Sequence, residues 1–191
     1  MRGDLPLNSL QIRKLTYAAL LLALAVMMPR IAGLIPDIGK TLNLMHIPVL
    51  LCGFLCGWSW GLVVGFTAPL LSSLLNGMPG IFPDAVVMAF ELAAYGALSG
   101  LLYRLLPKKK WSIYASLIGA MLAGRIVYGI VYLFLTGLGL VKINDALLAF
   151  VWVRAFAKPF AGIILQIALV PLLVMVLERA RLILNNRRTV Q

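Results

Sequence analysis

The sequence predicts an all-α membrane protein, with six transmembrane helices in a compact bundle and both termini cytoplasmic, on three observations. Apolar residues fill 62% of the 191 positions and charged residues only 12%, with a mean hydropathy of +1.00. A water-soluble domain of this size needs a far more charged exterior, so lipid must replace water around most of the chain. The apolar residues fall in runs near the roughly 20 residues that a helix needs to cross the hydrocarbon core. The basic residues gather between those runs, where they set topology and meet anionic lipid. A net charge of +11 distributed in this way does not point to nucleic acid.

Residues 1–191 therefore read as one integral membrane domain, multi-pass in the cell membrane. The first crossing covers 15–34. Arg13-Lys14 before it could open a secretion signal, but the apolar run continues to Ile35 and its Ala-x-Ala, Ala23 to Ala25, lies mid-run. The stretch from Ile47 to Leu75 is too long for one straight crossing. A break at Gly57-Trp58-Ser59-Trp60 divides it into a short helix over 46–57 and another over 60–75, with the tryptophans suited to an interface. A loop dense in helix breakers follows, from Asn76 to Pro83. The fourth crossing, 85–105, stops before Pro107 and three lysines, and the fifth, 112–136, ends at Gly137 and Gly139. Leu138 to Lys158 is intermediate in character and suits a short interfacial helix. The last crossing covers 159–178, with Pro171 a bend.

The basic residues test this count. With an internal N-terminus the inside segments carry eleven Lys and Arg, and the outside segments five: Arg30, Lys40, Lys142, Arg154 and Lys158. Five or seven crossings would place one basic terminal cluster outside, against the usual bias. The halves show no repeat of the kind that marks an inverted-repeat carrier.

Two charges lie well inside predicted crossings, Glu91 in the fourth and Arg125 in the fifth. Each would cost about 2.5 kcal/mol or more facing lipid, so each should face a polar cavity or a partner. Tyr95 shares a helix face with Glu91, and Tyr128 and Tyr132 share one with Arg125. Together they would line a pocket for a small polar molecule; the alternative is a Glu91–Arg125 pair that only fixes helix packing. Asn43 and His46 enter the second helix from the external side, and Asn76, Met78 and Asp84 belong to the other external loop. Arg154, Lys158 and Gln166 line the approach to, and body of, the last helix.

Other patterns carry less. Gly53, Gly57, Gly61 and Gly65, with Gly96 and Gly100, make smooth helix faces for close packing. Ala19 and Ala23, one turn apart, suit an internal contact or a docking face for another membrane subunit. Cys52 and Cys56 read as small buried apolar residues, because His46 does not complete a zinc set and the pair is badly placed for a disulfide. Gly39-Lys40-Thr41 lacks the spacing and the preceding strand of a nucleotide-binding loop. Neither a hydrolytic constellation nor a cofactor motif is present in the sequence.

Several stretches resemble one family, the substrate-binding components of energy-coupling factor (ECF) vitamin transporters. They are Leu44-Met45-His46-Ile47-Pro48-Val49, Gly77-Met78-Pro79 followed by Met88 to Gly96, Gly124-Arg125-Ile126-Val127-Tyr128-Gly129, and Gly162 to Gln166. The resemblance spans nearly the whole chain. It implies a non-enzymatic capture subunit that binds a water-soluble vitamin or precursor from outside, pantothenate-like through Arg125 or pyridoxine-like through Glu91. The implied contacts are Glu91, Tyr95, Arg125, Tyr128, Arg154 and the segment from Asn43 to His46. It also implies that Ala19 and Ala23 dock a transmembrane coupling subunit, with two ATPase subunits supplying the energy. Two other readings stand beside it: a stand-alone secondary transporter or channel, and a small membrane enzyme using Glu91 and Arg125.

Overall fold

Every regular element is helical in the computed structural model, which describes residues 9–33, 43–107, 110–140, 160–180 and 182–185. The helices are α1 (Ser9–Gly33), α2 (His46–Cys56), α3 (Trp58–Asn76), α4 (Val86–Leu105), α5 (Lys110–Gly137) and α6 (Phe160–Arg179). One wide turn, Ile81–Ala85, leads into α4. Five of these segments are long and apolar enough to cross a membrane; α2, with 11 residues, is the shorter one. At about 1.5 Å per residue α2 extends about 16 Å, roughly half the hydrocarbon thickness. All eleven of its residues are buried.

Most boundaries fall where the breakers lie. The first helix begins at Ser9 rather than at residue 15. No Gly or Pro separates Ser9 from Leu15, and Gln11, Arg13 and Lys14 are good helix formers, so the helix outruns the apolar stretch. The turn between α2 and α3 is tighter than the sequence suggested. Gly57 alone makes it, at φ 100°, where a side chain would be strained, and Trp58 and Trp60 already belong to α3. α6 continues through Pro171. The interfacial helix expected between Leu138 and Lys158 falls largely outside the described residues, as do Arg154 and Lys158 themselves.

α4 is the central element and packs against α2, α3 and α5. Close approach makes this possible. A Cβ at Gly53, Gly61 or Gly96 would collide with backbone on a facing helix, and Gly65 meets the backbone of Leu92 in the same way. Backbones this close gain dispersion contact that no larger residue would permit. Ser99 adds a hydroxyl bond to the Leu50 carbonyl at 3.4 Å.

The ends are tied by polar groups. Asn76 at the end of α3 donates to the Val26 carbonyl of α1 at 2.6 Å. At the other end of the bundle Tyr103 of α4 donates to Glu178 of α6. Beyond α6, the Leu184 amide donates to the Leu55 carbonyl at 2.9 Å, and Asn185 donates to the Gly100 carbonyl at 2.9 Å. The exterior is apolar, with Leu20, Leu74, Ile126 and Ile164 more than half exposed. In water such a surface would aggregate; in a bilayer it is solvated.

Gly61→Ala should lower stability by about 2 kcal/mol, the usual scale of overpacking. Gly137→Ala, where a Cβ meets nothing within 4 Å, should leave it unchanged. Thermal unfolding of both variants in the same detergent measures the difference.

Candidate functional site

α2 begins at a residue that is neither exposed nor apolar. Asn43 adopts a positive φ of 45°, which asparagine tolerates better than most residues, and turns the chain into the helix. Its carbonyl accepts from the His46 amide at 3.0 Å and from Gln166 Nε2 of α6 at 3.5 Å. This anchors the entrance of α2 against α6 and points His46 into the bundle, where it is 1% exposed.

There His46 meets α4, and through Glu91 the Arg125 of α5. Its Nε2 lies 3.7 Å from Glu91 Oε1, and the same oxygen lies 2.8 Å from Arg125 Nη1. The His46 and Tyr95 rings pack edge to face with centroids 5.1 Å apart. Tyr95 and Glu91, one turn apart on α4, therefore face the same neighbours. Gly124 makes room for this arrangement, because a Cβ there would sit 2.8 Å from the Tyr95 ring. Glu91 is 2% exposed and Arg125 6%. An ion pair held this far from water recovers its desolvation cost only with close geometry and further polar contacts.

Those further contacts are incomplete within the described structure. His46 Nδ1 and Nε2, Arg125 Nε and Nη2, and Gln166 Oε1 are buried without a hydrogen-bond partner. Buried polar groups are nearly always satisfied, so such a cluster calls for a further partner, an ordered water or ion included. A cavity of about 450 Å³ begins on the other side of His46, within the usual range of about 300–1,000 Å³ for small-molecule sites. Among the described residues its wall comes from the end of α1, the stretch Asn43–His46, the segment after α3, and Met88 of α4.

Sequence-predicted residues are distributed unevenly around this centre. Asn43, His46, Glu91, Tyr95 and Arg125 come together, and of these only Asn43 and His46 line the cavity. Glu91 and Arg125 are paired, and open space lies beside the pair, past His46. Neither of them lines that space directly. Tyr128 stands apart. It stacks on Tyr132 at 5.9 Å in a separate apolar cluster with Val87 and Leu135. Arg154 lies outside the described residues. Ala19 and Ala23 are exposed on the outer face of α1, whose inward residues are Ala18, Leu21, Ala25 and Val26. Among the described residues the pair therefore stays exposed rather than packing inward.

Gln166 and Gly124 were less visible in advance. Gln166 was legible only as a lone amide in an apolar helix, and Gly124 only as the neighbour of Arg125. Among the described residues, no three His, Cys, Asp or Glu side chains converge as a metal site would require. Cys52 and Cys56 are buried with free thiols.

Fold and site define an integral membrane protein with a buried polar centre opening onto a cavity. The family of ECF transporter substrate-specific components matches residues 13–174, and the chain belongs to it. It is accordingly the substrate-binding membrane subunit of an ECF importer, acting with ECF membrane and ATPase modules on a small-molecule substrate. Among curated proteins, and among solved structures, none matches the chain.

Removing one partner of the buried pair should cost about 3–5 kcal/mol, since it strands the other charge. The double replacement Glu91→Gln with Arg125→Gln should cost less than the sum of the two single changes. A double-mutant cycle on detergent unfolding checks this, with coupling of about 1–3 kcal/mol expected.

Proposed function

We propose that this subunit captures a water-soluble vitamin or precursor, pantothenate- or pyridoxine-like, from the external side of the membrane. The observation that carries the reading is the cavity lined by Asn43 and His46, with the unsatisfied polar atoms of His46, Glu91 and Arg125 buried behind it. A ligand completing those contacts would gain more than in water, because the alternative is a buried polar group with no partner. Asn43, His46, Glu91, Tyr95 and Arg125 form the binding set in this reading, and Tyr128 and Arg154 join it through the family resemblance.

In the same reading the chain makes six crossings with both termini cytoplasmic, α2 being the short one. The excess of basic residues in the inner segments supports that orientation. The transmembrane coupling subunit packs on α1 at Ala19 and Ala23, where small exposed residues allow two helix backbones to approach. Two ATPase subunits hydrolyse ATP, and this chain carries no catalytic role.

Arg125→Ala and Glu91→Ala should each weaken substrate binding by more than tenfold while the protein still inserts into the membrane, as measured by titration of purified protein. Normal binding in both variants would place the ligand elsewhere. Ala19→Trp with Ala23→Trp should leave binding intact and abolish co-purification with the coupling subunit. Accumulation of substrate in liposomes by this chain alone, driven by an ion gradient, would instead select the secondary-transporter reading.

A further inference from the structure

The sequence places Asn76 in an external loop, but it is the last residue of α3 and does not line the cavity. Its side-chain nitrogen donates to the Val26 carbonyl of α1 at 2.6 Å and to Ser72 Oγ, one turn back on α3, at 3.3 Å. The Ser72 hydroxyl, fully buried, donates in turn to the Met78 carbonyl at 2.7 Å. Ser72 Oγ also lies 3.4 Å from the Val26 carbonyl, but its single proton goes to the nearer acceptor. An amide carries two protons on nitrogen and a hydroxyl carries one, so all three are used. One chain of hydrogen bonds therefore runs from α1, through the end of α3, to the segment beyond it.

Both ends of that chain lead into cavity wall. Met28 and Pro29 follow Val26 within one turn of α1 and line the cavity, and so do Met78, Pro79 and Gly80. Each wall gets limited support from its own backbone. Pro29 has no N–H to give, so the Ala25 carbonyl lacks the donor a continuous helix would supply. Gly77, at φ 67°, ends α3 in the left-handed conformation, and Met78 already lies past the helical ladder. Arg30 Nη2, 3.5 Å from the Leu75 carbonyl, is a second and longer tie between α1 and α3. The links also depend on one another. Without the Ser72 hydroxyl, an Asn76 N–H and the Met78 carbonyl both lose their partner. Without the Asn76 amide, Val26 is released and Ser72 Oγ loses its donor.

We propose that Ser72 and Asn76 are positioning residues for cargo binding. Acting through Val26 and Met78, they fix the spacing of two cavity walls and so set the affinity for the cargo without touching it. This rests on the capture reading and adds to it two residues that work from behind the wall.

The full-length protein, labelled with ¹³C at the methionine methyls and purified in detergent, tests this with Ser72→Ala and Asn76→Ala. Ser72→Ala should move the Met78 methyl signal, and Asn76→Ala those of Met28 and Met78, while Met45 and Met88 keep their wild-type positions. The unfolding midpoint should fall by about 2–4 °C, the scale of one net hydrogen bond in a chain of this size. Affinity for pantothenate or pyridoxine, whichever the wild type binds, should fall about tenfold in each variant. Wild-type affinity in either variant overturns the inference and leaves the capture reading standing. Shifts spread over all eight methionine methyls, or loss of a dispersed spectrum, would show a merely structural role and overturn it as well. If the wild type binds neither probe, mass spectrometry of the small molecule that co-purifies decides. Its loss from both variants supports the inference, and equal retention overturns it. Wild-type protein that neither binds a probe nor retains any small molecule contradicts the capture reading, and this inference with it.

Discussion

A carboxylate and a guanidinium 2.8 Å apart, both almost wholly buried in a bundle of apolar helices, set the terms for the rest of this molecule. Neither charge is tolerable alone in such surroundings. Glu91 must therefore face α5, and Arg125 must face α4, which fixes the rotation of two long helices about their own axes. His46 extends the constraint to α2 through its contact with the same carboxylate oxygen. Pairing accounts for the survival of the charges but not for all their hydrogen-bonding capacity. In the proposed reading, the remainder is what a substrate uses.

The scaffold lets this arrangement form by removing side chains rather than adding them. Gly53, Gly61, Gly65 and Gly96 bring α2, α3 and α4 into backbone contact. The short α2 can then lie wholly inside the bundle. Its first residue, His46, consequently ends up within the structure instead of at the lipid or water boundary. Gly124 serves the same purpose on α5, where its missing Cβ gives the Tyr95 ring its place. Packing and binding are thus one design: the glycines determine how near the helices come, and the separation determines which polar groups meet.

Much of the helix layout was legible in the sequence because its punctuation is strong. Gly57, the Asn76–Pro83 loop and Pro107 mark real ends, and Glu91 and Arg125 stand out as charges in apolar runs. Periodicity also placed Tyr95 beside Glu91. It placed Tyr128 with Arg125 on one helix face, yet could not say which neighbour each point on that face would meet, and Tyr128 lies with Val87 and Tyr132 instead. A single histidine at the start of an apolar helix carries no sign of whether it turns outward or inward. That depends on Asn43 and Gln166, residues 123 positions apart in the chain. The methionine-lined chamber was invisible for the same reason, since four separate segments build it.

The central claim is that the chamber beside His46 is where the imported molecule rests. The most direct measurement is an experimental structure of the protein purified with its native small molecule. The account predicts ligand density in that chamber, with a polar atom within hydrogen-bonding distance of His46 and the Glu91–Arg125 pair intact behind it. Ligand density between other helices, with the chamber closed or filled by a lipid tail, would contradict it.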